Sequence, residues 1–177
     1  RGYDSAGMVI SNNNGFIVEK AVGEVEKLKK KLNDKDYTGL GIAHTRWATH
    51  GEISINNCHP HFSSDGNVAL VHNGIIENFE NLKSYLEKNG KYFYGQTDSE
   101  VIAKMFDGEL SLNKIKDVID KLEGSYALAI ISKKNDEIFF AKNKSPLYVA
   151  KGNDCFYVAS DPSVFSERCQ EFYSIED

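Results

Sequence analysis

Short apolar blocks recur along the chain, and breaks rich in Asn, Gly and Lys separate them. Where apolar and polar residues alternate a strand is expected, and where apolar residues fall three and four apart a helix is expected. Residues 8–11 and 16–19 read as two strands. Asn12-Asn13-Asn14-Gly15 between them supplies residues that tolerate positive φ in a tight turn. A short helix follows, with Val25, Leu28 and Leu32 on one face and lysines elsewhere. Residues 39–43 return as a strand, and residues 46–66 form a long irregular stretch with few periodic apolar positions. Loops longer than about a dozen residues are uncommon in compact domains and often functional.

Residues 67–71 read as a strand, followed by a helix over residues 78–89 with Phe79, Leu82 and Leu86 inward and Gly90 as its stop. Thr97-Asp98-Ser99-Glu100 has the capping-box pattern and opens a helix carrying Val101, Ile102, Met105 and Phe106. Ser111 opens another, with Leu112, Ile115, Ile119 and Leu122 on one stripe and Gly124 at its end. The last third turns to strands: residues 126–131, 137–141, 147–150, 156–159 and 172–175. Short turns at 133–136 and 152–154 make neighbours antiparallel. Strands at both ends with helices between predict an α+β layered domain. Runs such as Ala127-Leu128-Ala129-Ile130-Ile131 are apolar on both faces and need cover on both sides. Two mainly antiparallel sheets packed together between helices are therefore expected.

At 177 residues the chain suits one domain and buries a core without staples. A net charge of -5, mixed along the chain, argues against nucleic acid and against a polybasic membrane anchor. No apolar run approaches the ~18 residues of a spanning helix. Cys58, Cys155 and Cys169 are odd in number and widely spaced, which fits a reducing cytoplasm better than a disulfide framework. The chain opens on Arg1-Gly2-Tyr3-Asp4 without an initiator Met, so a longer polypeptide is expected.

Two segments concentrate the chemistry: His44-Thr45-Arg46-Trp47-Ala48-Thr49-His50-Gly51 and Val71-His72-Asn73-Gly74-Ile75-Ile76-Glu77-Asn78. Each follows an apolar strand, and a rigid sheet aims residues at its ends toward a ligand. Arg46 is either a solvated strand-end charge or a two-pronged grip on a carboxylate. Thr49, His50 and Gly51 add hydroxyl, imidazole and flexible backbone, which suits a small zwitterion better than a phosphate; no Gly-rich phosphate loop occurs. Asn73-Gly74 is either a turn or an oxyanion hole built from the Asn amide and the next N–H. Asp98 is either a first-turn carboxylate favoured by the helix dipole or the partner of an ammonium group. All five histidines (His44, His50, His59, His61, His72) fall within residues 44–72. His59-Pro60-His61 has metal-ligand spacing, but no cysteine pair accompanies it. The other reading is that the histidines brace the loop by bonding its backbone.

These segments, with Arg1 to Gly7, His59-Pro60-His61 and Thr97 to Ala103, resemble the class II glutamine amidotransferases in order and over nearly the whole chain. The resemblance implies the four-layer α-β-β-α sandwich of N-terminal-nucleophile hydrolases, lacking its first strand here. It implies that residues 1–177 are a glutaminase domain, incomplete at both ends, with sugar-phosphate isomerase domains outside this chain. Such a domain hydrolyses glutamine to glutamate and passes ammonia to fructose 6-phosphate, giving glucosamine 6-phosphate. By resemblance Arg46 binds the α-carboxylate and Asp98 the α-ammonium group. Thr49 and His50 lie in the loop that closes over glutamine, and Trp47 gates the ammonia path. The Asn73 side chain and Gly74 N–H form the oxyanion hole, and Arg1 lies near the catalytic centre. Neither metal nor cofactor is implied, and a homodimer is expected of the full-length protein.

The family nucleophile is a leading cysteine whose own α-amine acts as base. Cys58, Cys155 and Cys169 do not match it, so these residues alone are expected to be inactive, with the thiol supplied upstream. The alternative is a nucleophile-less glutamine sensor, and a remnant with no ligand is disfavoured because Arg46, Thr49, Asn73, Gly74 and Asp98 are all present. Without its opening strand the fragment is expected to be poorly stable or paired with another copy, unless more chain exists.

Overall fold

The computed structural model describes residues 3–32, 37–47, 51–165, 169 and 171–176. Strands β1 (Ser5–Asn12) and β2 (Gly15–Val22) form the hairpin that the Asn-Gly break foretells. In its turn Asn12 Oδ1 accepts the Asn14 N–H at 2.9 Å. Helix α1 (Val25–Lys29) packs Leu28 and Val25 on Ala6, Met8 and Ala21 of this hairpin. It ends before Leu32, which is 39% exposed rather than part of the inward face. Strand β3 (Leu40–Arg46) pairs along the other side of β1, giving the order β2-β1-β3.

The second sheet has the order β4-β5-β6-β7, all antiparallel: β4 (His61–Phe62), β5 (Val68–Ile76), β6 (Gly124–Ser132) and β7 (Phe139–Asn143). Between β5 and β6 run α2 (Phe79–Lys88), α3 (Asp98–Lys104) and α4 (Leu112–Ile119). Period-two alternation divides the central strands between two cores. Val68, Leu70, Leu128 and Ile130 face the helices and meet Ile102, Phe106, Ile115 and Val118. Ala69 and Ile131 face the first sheet and meet Val9 and Ile42. The layers are therefore α1, first sheet, second sheet, α2–α4: the expected α-β-β-α sandwich. Ile130 and Ile131 are both fully buried, as a strand covered on both faces requires.

Some details depart from the sequence pattern. The buried stripe of α4 starts at Ile115 and includes Val118, while Leu112 is 72% exposed. Gly124 does not end that helix but opens β6. Strands β8 (Tyr148–Lys151), β9 (Phe156–Ala159) and β10 (Phe172–Ser174) form a small separate sheet of order β10-β8-β9. Lys144, in the left-handed region at φ 62, and Pro146 after it turn the chain out of the β6–β7 ladder. A 3₁₀ turn over Pro162–Phe165 follows β9. No helix among the described residues is long and apolar enough to cross a membrane.

The largest departure concerns strand ends. The apolar runs stop at Ala43 and Val71, yet β3 extends to Arg46 and β5 to Ile76. His44, Thr45 and Arg46 pair with Gly7, Ala6 and Ser5. His72 to Ile75 pair with Leu128 to Ser125. Backbone pairing holds polar side chains in the ladder, so the chemistry sits on strand rather than in loop.

Candidate active site

A cavity of about 990 Å³ opens where β3 and β5 end. Arg46, Trp47, Asn73, Gly74 and Asp98 all line it. Residues 48–50 lie outside the described part of the chain, so the roles expected of Thr49 and His50 do too, as does that of Arg1.

Arg46 closes β3. Its carbonyl accepts the Asp4 N–H at 3.0 Å, and its side chain is buried on the face that carries Ile42 and His44 toward the second sheet. Its Nη1 lies 3.5 Å from Glu52 O. Trp47, the next residue, is 59% exposed at the cavity. A buried guanidinium opening on a cavity is a fixed cation, suited to a carboxylate.

Asn73-Gly74 is no turn. Both residues lie inside β5, opposite Ala127 and Tyr126. Gly74 has φ +136, and a Cβ there would stand 2.1 Å from Ser125 O, so only Gly permits this approach of β5 to β6. Asn73, Gly74 and Ile75 are exposed at the strand's end, where the burial alternation of the core gives way to the cavity.

Asp98 is the first residue of α3. Thr97 caps that helix by accepting the Glu100 N–H at 3.2 Å. The other half of the capping box is not made: the Glu100 carboxylate accepts Tyr94 N–H (3.0 Å) and Gly95 N–H (2.7 Å) instead. The carboxylate of Asp98 is pinned on both oxygens. Oδ2 accepts Ile76 N–H at 2.9 Å; Oδ1 accepts Ser99 N–H at 2.7 Å and the Ser99 hydroxyl at 3.2 Å. Asp98 thus ties α3 to the end of β5, beside Asn73-Gly74, and keeps 20% of its side chain exposed. The two readings of Asp98 are compatible, since one carboxylate holds the first turn and lines the cavity.

Among the described histidines, His44, His59, His61 and His72 each meet a side-chain partner, and His72 also bonds the Ser125 backbone of β6. His59 Nδ1 and His44 Nδ1 are 2.7 Å apart, and the His59 ring meets those of His44 and His61 edge-on at 4.0 and 4.8 Å between centroids. His61 Nε2 lies 3.1 Å from Thr97 Oγ1, and His72 Nδ1 lies 2.9 Å from Ser99 Oγ. Burial dominates their protonation. It lowers His44 to about 4 and carries His59 and His61 well below the usual histidine range, assisted by the neighbouring rings and Lys20. Burial lowers His72 too, against the pull of Asp98 upward. The cluster is thus a neutral wedge between β3, the 51–62 segment and α3. No group of three His, Cys, Asp or Glu among the described residues is arranged to hold a metal.

None of the three cysteines lines the cavity. Cys58 is fully buried, with Sγ donating to Ala6 O and His59 O at 3.3 Å each. Sequence reasoning missed Ser99, which orients Asp98, and also Asn57 and Gln96, which bond each other and the Glu52 backbone between Arg46 and Asp98. Capping and loop residues of this kind carry no periodic signal.

The arrangement sets a cation and a carboxylate on one cavity with an Asn-Gly strand segment beside them. Charges so placed hold the two ends of a zwitterion, and the amide and N–H groups beside them can receive a developing oxyanion. Residues 44–167 match the model of the glutamine amidotransferase domain family. The chain is 44% identical to glutamine–fructose-6-phosphate aminotransferase [isomerizing] of Helicobacter pylori, covering all of this chain and 31% of that protein. It is 42% identical to the protein of the same name from Caldanaerobacter subterraneus, again over the whole chain and 30% of the relative. The chain therefore spans about a third of the length of these curated relatives. Among solved structures it is similar to the glutamine phosphoribosylpyrophosphate amidotransferase of B. subtilis. There the TM-score is 0.81 at 27% identity, over 95% of this chain and 38% of that one.

Proposed function

The chain belongs to the glutamine amidotransferase domain family, and from that membership we propose that its cavity binds L-glutamine and directs hydrolysis of the side-chain amide to L-glutamate and ammonia. The observation that carries the reading is the convergence of Arg46, Asp98 and Asn73-Gly74 on one cavity. Arg46 takes the α-carboxylate and Asp98 the α-ammonium group, which fixes the amino acid by its invariant end and leaves its amide facing the strand. The Asn73 side chain and Gly74 N–H stabilise the tetrahedral oxyanion. Trp47, Thr49 and His50 belong to the segment that covers the ligand.

The attacking thiol is that of the family's leading cysteine, which none of Cys58, Cys155 and Cys169 matches. It adds to the amide carbon. The thiol proton passes through the α-amine to the amide nitrogen, the C–N bond breaks and ammonia leaves, and water then releases glutamate from the thioester. In the whole protein, a homodimer of the cytoplasm, the ammonia aminates fructose 6-phosphate at a sugar-phosphate isomerase domain outside these residues. The names of the relatives at 42–44% identity support that acceptor.

The test uses the intact polypeptide that carries this domain, assayed for glutamate release and for glucosamine 6-phosphate. Arg46→Ala is expected to raise the KM for glutamine by about 10- to 100-fold, as loss of a charge-assisted bond does. Asn73→Ala is expected to lower kcat by about 10²–10³ with little change in KM. Glutamine binding without turnover in the unmodified protein would favour the sensor reading. No binding at all would refute both.

A further inference from the structure

We infer that Asn57 and Gln96 are positioning residues that set the span between the two charged ends of the clamp, an inference that rests on the glutamine-binding reading above. Asn57 lies in the irregular segment between β3 and β4, does not itself line the cavity but bonds Gln96, which does, and is 2% exposed. A buried amide costs stability unless both of its ends are bonded. Here each end goes to a different part of the site. Nδ2 donates to Glu52 O at 2.8 Å, and Oδ1 accepts the Gln96 N–H at 2.7 Å. Gln96 completes the ring, because its Oε1 accepts the Glu52 N–H at 3.0 Å. The Glu52 residue is thus gripped by its N–H and its carbonyl at once.

The two sides of this clasp carry the two charges. On one side, Glu52 O is the oxygen that Arg46 Nη1 approaches at 3.5 Å. On the other, Gln96 immediately precedes the cap Thr97 and lies two residues before Asp98. Asn57 therefore connects the loop beside the cation to the helix start that carries the carboxylate, through two hydrogen bonds and no flexible intermediary. The chain has made room for it. A Cβ at Gly95 would stand 2.5 Å from Asn57 Oδ1, and one at Gly51 would stand 3.0 Å from Asn57 Nδ2. Gly95 is in turn fixed by its N–H bond to the Glu100 carboxylate at 2.7 Å. A rigid span selects ligands whose carboxylate and ammonium groups share one carbon, because both charges must be met at once.

The experiment measures steady-state kinetics of the intact polypeptide with glutamine. It also measures binding of glutamine and of 4-carbamoylbutanoate, which has the carboxylate and the amide but no α-amine. Asn57→Ala is expected to raise the KM for glutamine about tenfold while kcat changes less than about threefold. The preference for glutamine over the amine-free analogue is expected to shrink about tenfold. Gln96 is exposed, so Gln96→Ala should fold and move both quantities in the same direction; it carries the test if Asn57→Ala does not fold. Gln96→Glu keeps the backbone donor and an oxygen acceptor and should recover most of the affinity and preference that Gln96→Ala loses. A purely structural role lowers melting temperature but leaves the glutamine-to-analogue ratio unchanged, and an unchanged ratio in folded Gln96→Ala overturns the inference. If Arg46→Ala abolishes binding while both clasp variants bind normally, the clasp fails and the clamp stands. If the unmodified protein binds no glutamine, both fail.

Discussion

Lowering the pH from 7.5 to 5.5 should destabilise this fold steeply, through His44, His59 and His61. Burial holds His44 at about 4 and the other two well below the usual histidine range, so all three are neutral in the folded chain at pH 5.5. In the unfolded chain each titrates near ~6.5 and is about 90% protonated at that pH. The unfolded state binds more protons, so stability rises with pH through this window. It is complete above about 6.5 and is lost as pH falls toward 4, where His44 begins to charge in the fold as well. Each histidine contributes roughly 1 kcal/mol or a little more between pH 7.5 and 5.5, and the three together about 4 kcal/mol. Domains of this kind have about 5–15 kcal/mol in total. His72 is left out of the sum because Asp98 opposes the effect of burial. Lys20 and Arg46, the cations beside the cluster, reinforce the neutral forms. Urea unfolding followed by far-UV circular dichroism at both pH values reads the loss. Calorimetric unfolding at pH 5.5 in buffers of different ionisation heat counts the protons, with roughly three expected. Uptake of fewer than about one proton, or a loss below about 1.5 kcal/mol, would mean that the histidines already carry charge in the fold. The neutral wedge described above would then be wrong.

Gly74→Ala is expected to cost more than about 3 kcal/mol, because the new methyl group meets Ser125 O at 2.1 Å on a backbone at φ +136. Gly90→Ala, at φ +78 with open space around it, should cost only about 1 kcal/mol. Equal urea midpoints for the two variants would show that β5 and β6 do not approach as closely as described. Asp98→Asn should raise the KM for glutamine by about 10- to 100-fold in the intact polypeptide, and it should also turn an amide N–H toward either Ile76 N–H or Ser99 N–H. A normal KM with a lowered melting temperature would leave Asp98 as a helix-capping residue alone.

The sequence by itself determined the layers, and through its resemblance to the glutamine amidotransferases it singled out the residues proposed to form the clamp. Apolar runs at residues 68–71 and 127–131 demand cover on both faces and divide between two cores, and the spacing of Ile115, Ile119 and Leu122 seats α4 on one of them. Such patterns are legible because burial selects residue type position by position. Arg46, Asn73, Gly74 and Asp98 each had an ordinary structural reading alone and stood out only because their segments resemble the glutamine amidotransferases in order. Only the tertiary structure decided that Asn73-Gly74 lies in a strand rather than a turn, since its ladder partners are some fifty residues away in β6. The same holds for Glu100, which abandons the capping box for Tyr94 and Gly95, and for the histidines, which bond one another and α3 rather than the loop. Asn57 and Gln96 gave no signal at all, because their hydrogen bonds join segments up to forty-four residues apart. Local propensity records what a residue does to its neighbours in sequence. Where a polar group finds its partner across the fold, the partner's position exists only once the chain has closed.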